Sequence, residues 1–170
     1  MLAKKKMVFL FLIVILVLAL PSAALANKLI YKARLSTGAE LHEVVGSNAS
    51  GSATFARFPD SLRINLSVRG LSGPPTAAHI HMPAAEDGTA GPVVTLCGGP
   101  APAVFGACSA TQQPDGTYLF TIQEGVISGG FIQGITAAQF FNYLEQGLGY
   151  VNVHTALNPA GETRGQILPQ

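Results

Sequence analysis

The chain contains no tryptophan and only two cysteines, and charged residues make up 11% of its 170 positions. Three of its ten basic residues are Lys4, Lys5 and Lys6 in an N-terminal leader. The remainder carries seven Lys and Arg against nine Asp and Glu, a net charge of −2. No basic surface is left for nucleic acid or anionic lipid to grip. No nucleophile elbow, HExxH pair or phosphate-cradling glycine loop is present, which removes the common hydrolase and nucleotide-binding classes. Glu86 and Asp87 beside Gly88 supply too few oxygens for a calcium cage and read as a solvated loop. Tyr118, Tyr143 and Tyr150 are scattered and read as packing residues.

The leader has the form of an export signal. The lysines are followed by an unbroken apolar run, Met7 to Leu20, and by Ala24-Leu25-Ala26, a small-x-small cleavage pattern. Cleavage is expected after Ala26, leaving residues 27–170 as one domain secreted or periplasmic, with no stable membrane span. The run falls short of the roughly 20 apolar residues that cross a bilayer. It contains no cysteine for lipid attachment. Cys97 and Cys108 would meet an oxidising compartment, and a disulfide closing the Gly/Pro-rich segment between them is expected.

Beyond the leader, apolar residues alternate. Leu29–Ser36, Ser52–Phe58, Leu62–Val68, Val93–Leu96, Thr117–Gln123, Tyr150–Thr155 and Thr163–Leu168 read as strands, as does the segment around His79 and His81. Pro59-Asp60-Ser61 is turn chemistry for a hairpin, which would put Leu62, Ile64, Leu66 and Val68 in the core. The one helical pattern runs from Thr136, a candidate N-cap, to Gln146, with Gly147 as its stop. Many short strands with one short helix near 136–146 predict an all-β antiparallel fold, a Greek-key-like sandwich or barrel. No internal repeat is visible.

Three of the four histidines fall in two strand-like runs, Ala78-His79-Ile80-His81 and Tyr150-Val151-Asn152-Val153-His154-Thr155. Residues two apart share a strand face, so His79 pairs with His81, and Asn152 with His154. Two imidazoles from one strand and a third from another are a recurrent way to hold copper or zinc. The same residues could instead form a polar belt hydrogen-bonded to Asn152, Glu162 or Thr155. Arg164 reads as an ion-pair partner of Glu162, two residues away on one strand face.

Four blocks resemble the CHRD domain, the module named for its occurrence in chordin. They are Ala77–His81, Gly88 with Gly91–Val94, Tyr150–Thr155, and Asn158–Ile167. Upstream, Glu43-Val44, Gly51–Phe55 and Val68–Leu71 fit the same pattern. Val45-Gly46 replaces the usual two prolines, and Met82 stands where glycine commonly follows the second histidine. The resemblance implies an extracellular β module that binds a protein or envelope partner, and it implies no established chemistry. The block order is also similar to that of copper/zinc superoxide dismutases. By that analogy His79, His81 and His154 would be ligands, with Asn152, Glu162 and Arg164 around them, in a copper-dependent redox protein. The bridging histidine and zinc-loop ligands of those enzymes have no counterpart between Met82 and Tyr150. His42 is the only spare imidazole. A binding module, with or without an ion on the three histidines, is the leading expectation.

Overall fold

Alternation of apolar and polar side chains builds one curled antiparallel sheet. The computed structural model describes residues 29–99 and 102–170. The expected leader lies outside the described residues. Nine strands follow in chain order: β1 (Ile30–Ser36), β2 (Ser50–Phe58), β3 (Ser61–Leu71), β4 (Pro75–His81), β5 (Pro92–Gly98), β6 (Ala110–Gln112), β7 (Tyr118–Ser128), β8 (Gly149–Thr155) and β9 (Thr163–Pro169). Their order across the sheet is β5-β4-β8-β9-β1-β2-β3-β7-β6. The all-β expectation holds.

The β2–β3 hairpin pairs Phe58 with Ser61 and Ser50 with Arg69. The inward residues of β3 are the expected ones. Leu62, Ile64, Leu66 and Val68 are all buried, and they join Phe55, Phe120, Ile80, Val151, Val153 and Ile167 in the core. Helix α1 (Ala137–Glu145) covers one end with Phe140, Phe141 and Leu144. Its Thr136 cap accepts from the Gln139 amide, and the Gln139 side chain accepts from the Thr136 N–H, a reciprocal capping box. Arg57 of β2 holds the helix from outside, over the Phe141 ring and against Glu145. Among the described residues, no helix is long and apolar enough to cross a membrane.

Two features depart from simple alternation. Strand β5 is buried from Val93 to Cys97 without a break. Its pairing with β4 shifts register twice, between Ala78 and His79 and between Ile80 and His81. Each bulge re-aims the following side chain, so the period-2 pattern fails there. Strand β6 adds a short edge that the sequence reading did not include, with Ala110 opposite Phe120 and Gln112 opposite Tyr118.

The ends of the sheet approach each other through the 102–109 segment. The Val104 and Phe105 amides donate to the Thr95 and Leu96 carbonyls of β5. The Phe105 ring lies in the space above Gly125 of β7 that a side chain there would occupy. Cys97 and Cys108 are bonded, as expected, with Cα atoms 4.9 Å apart. A bridge closing so short a loop stabilises mainly by limiting the unfolded chain, by about 2–3 kcal/mol. Cys97→Ser with Cys108→Ser should lower unfolding free energy by that amount in urea titrations. Reductant should lower the wild type equally and leave the double variant unmoved.

Candidate functional site

Pairing in register brings the histidines together. His79 lies opposite Asn152, His81 opposite Tyr150 and Ala77 opposite His154 across the β4–β8 pair. Asn152 in turn lies opposite Arg164 across β8–β9. Opposed residues share a face, so these polar side chains occupy the outer face of the sheet. Ile80, Val151 and Val153 face the core.

This outer face is largely covered: His81, Asn152 and Arg164 are buried, and His79 and His154 are half-buried. The loop between β4 and β5 crosses it and is held by its carbonyls. Arg164 Nη2 donates to Ala85 O, Glu86 O and Gly88 O at 3.2, 3.3 and 2.7 Å. Gln166 donates to Ala84 O, and the Tyr150 hydroxyl donates to Ala90 O. The Arg164 guanidinium lies 3.6 Å from the centre of the Tyr150 ring, which also stacks on His81 at 4.6 Å. A buried guanidinium thus rests on carbonyl dipoles and a ring face. The ion pair expected with Glu162 does not form. Both residues point to partners far away in sequence, which strand-face spacing cannot reveal.

The imidazoles of His79, His81 and His154 each place one ring nitrogen within 4.8 Å of the other two. His79 Nδ1 is 3.0 Å from His154 Nε2. His81 Nε2 and His154 Nε2 are each 3.1 Å from Asn152 Oδ1. The other nitrogens of those two rings are committed elsewhere. His81 Nδ1 donates to Ala90 O at 2.8 Å, and His154 Nδ1 donates to Pro159 O at 3.1 Å. Those bonds select the tautomer in which each Nε2 carries a lone pair, and that of His154 accepts from His79 Nδ1. Burial, together with His154 and His81 nearby, pushes His79 down to about 4. Burial also lowers His81 and His154, against the pull of their backbone hydrogen bonds. All three rings are therefore neutral at pH 7.

Of the supporting residues expected from sequence, Asn152 lies within 3.1 Å of two of the imidazoles. Glu162 and Arg164 bond none. His42 also stays outside the group, with Nε2 3.0 Å from Gly161 O. Thr155 joins Glu162 and not the histidine belt.

Glu162 forms a separate knot. Its fully buried carboxylate accepts from Ser47 Oγ, Ser72 N, Ser72 Oγ, Thr155 Oγ1 and Asn158 Nδ2. Burial alone would raise its pKa, but these donors outweigh burial and hold it below the usual glutamate value. Glu40 is the opposite case. Its side chain is 4% exposed and its Oε1 has no partner. It packs against Gly161 so closely that a Cβ there would lie 2.5 Å from Oε1. Burial raises its pKa to about 7, against the attraction of His42 and Arg164. Sequence reading passed over Glu40 and took Tyr150 for a packing residue, and no local pattern marks the role of either.

The two carboxyls predict opposite pH dependences. Glu162 ionises more easily when folded, so its contribution is full above pH 4.5 and is lost as pH falls through its folded pKa. Glu162→Ala should cost about 3–5 kcal/mol at pH 7 by stranding buried donors, and should flatten the acid limb of a urea-stability profile. Glu40 keeps its proton to about pH 7 when folded and loses it near 4.5 when unfolded, so stability falls as pH rises between those values. Glu40→Gln should remove that fall and gain up to about 3 kcal/mol over wild type at pH 8, with little difference at pH 4.

Among curated proteins and among solved structures, none matches the chain. The profile of the CHRD domain matches residues 31–167, the span from β1 to β9 that carries the three histidines, the covering loop and the Glu162 knot, and the chain belongs to the CHRD family.

Proposed function

We propose that this protein is an extracytoplasmic CHRD binding module whose His79, His81 and His154 hold a divalent d-block cation, zinc or copper. The observation that carries the reading is the direction of the lone pairs. Two imidazoles have their far nitrogens tied to backbone carbonyls, so their near nitrogens face inward as acceptors. Histidines that ligate metals are normally oriented in this way by a carbonyl or carboxylate behind them. Neutral rings held in place by neighbouring strands lose little freedom when an ion arrives.

Export is supported by Lys4 to Lys6, the apolar run and Ala24-Leu25-Ala26, and the Cys97–Cys108 bridge fits an oxidising compartment. The partner is taken to be a protein or an envelope component, which suits a charge-poor module with no complete catalytic set in its sequence. A copper-dependent redox role would draw on the same three imidazoles. It differs in requiring the loaded protein to turn over a redox substrate.

The test is direct. Mature protein stripped with a chelator, reloaded and desalted should retain one equivalent of zinc or copper by elemental analysis. His81→Ala and His154→Ala should each weaken binding at least a hundredfold in calorimetric titration. Absence of retained metal in a correctly folded sample would retire the reading. Superoxide consumption by the copper form, lost in His81→Ala, would favour the redox alternative.

A further inference from the structure

The proposed ion site has a fourth polar atom beside two of its histidines. Asn152 Oδ1 lies 3.1 Å from both His81 Nε2 and His154 Nε2, and His79 Nδ1 lies 3.0 Å from that same His154 Nε2. Four donor atoms around a zinc-sized ion, each bonded at 2.0–2.1 Å, are separated by about 3.3 Å in a tetrahedron. Three of the contacts here are already close to that spacing. The widest histidine separation must contract from as much as 4.8 Å.

The chemistry of the contacts points the same way. His81 and His154 spend their ring protons on Ala90 O and Pro159 O. The Asn152 amide oxygen therefore faces two acceptor nitrogens, of which that of His154 also receives the His79 Nδ1–H. Acceptor against acceptor is repulsive unless a cation lies between them or the amide turns over to donate both its hydrogens. Asn152 is 3% exposed and sits on β8 between His79 of β4 and Arg164 of β9, so it has little room to leave the cluster.

We infer that Asn152 Oδ1 is the fourth ligand, making the site a closed set of three imidazole nitrogens and one amide oxygen. This rests on the three-histidine reading above and extends it. A closed set holds its ion for the sake of the fold or a docking surface and leaves no position for a small substrate. An open three-nitrogen site would do the reverse.

Cobalt(II) loading provides the test, because its visible spectrum reports coordination and its response to azide reports an open position. The wild type should bind one equivalent of cobalt and show no spectral change with azide. Asn152→Ala should bind roughly tenfold to a hundredfold more weakly and become azide-responsive. Asn152→Asp, which keeps an oxygen in place, should remain closed and bind at least as tightly as wild type. Circular dichroism checks that each variant is folded, and the Asp variant decides the matter if the Ala variant does not fold. Cobalt bound by wild type but already azide-responsive overturns the role of Asn152 alone. So does unchanged affinity in a folded Asn152→Ala. Failure of wild type to bind any ion overturns the three-histidine reading with it.

Discussion

The carboxylate of Glu162 is the point on which the geometry of the outer face depends. It is a full negative charge with no solvent contact, and it is kept ionised by neutral donors from four segments. Ser47 comes from the β1–β2 connection, Ser72 from the β3–β4 turn, Thr155 from the end of β8 and Asn158 from the turn into β9. Burying an unpaired carboxylate would cost several kcal/mol, and five donors of good geometry offset that cost. Asn158 extends the knot by exchanging hydrogen bonds with the backbone of Val45. The turn held in this way carries Pro159 and Gly161. Pro159 O orients His154, and Gly161 O receives His42. Loosening Glu162 would thus release the tautomer of a histidine on a different side of the turn.

Arg164 is the positive counterpart, and it acts through a loop. Three carbonyls of the β4–β5 connection converge on its Nη2, and Ala90 of that loop accepts from both His81 and Tyr150. The loop shields the polar face of β8 and β9. This explains why β8 is buried at all but one of its positions, on both its faces. A sheet covered on both sides usually recruits apolar residues. Here the second cover is peptide backbone, so the face beneath it is lined by donors that match carbonyl oxygens.

How much of this could be read from sequence follows from the range of the interactions. The β2–β3 hairpin, the inward row from Leu62 to Val68 and the Thr136 cap are decided by residues within a few positions of one another, and they were legible. The shared face of His79 and His81 follows from strand periodicity, and so does that of Asn152 and His154. Their convergence needed β4 to pair with β8, which the matched histidine blocks only hinted at. The pairing of Glu162 with Arg164 failed because each has a better partner roughly 80 or more residues away. The bulges of β5 were invisible, because Val93-Val94-Thr95-Leu96 is apolar enough to suit either face. Tyr150 looked like a core aromatic, but its ring is the surface on which Arg164 and His81 lie.

The position of the histidines within the topology bears on what an ion would do. Strands β4 and β5 form a hairpin at one end of the sheet, paired with the remaining strands through β4–β8. The chain enters this hairpin from β3, which is not its neighbour in the sheet, through the short turn Ser72–Pro74 that Glu162 holds. Further ties reach the hairpin from outside the β4–β8 seam. The disulfide ties the outer strand of the hairpin to the 102–109 segment, and Arg164 ties its loop to β9. His79 and His81 belong to the hairpin, whereas Asn152 and His154 belong to β8. An ion between them would cross-link the same seam from the middle. A cross-link of that kind does more for holding a shape than for turning over a substrate, and a shape is what a binding module presents to its partner.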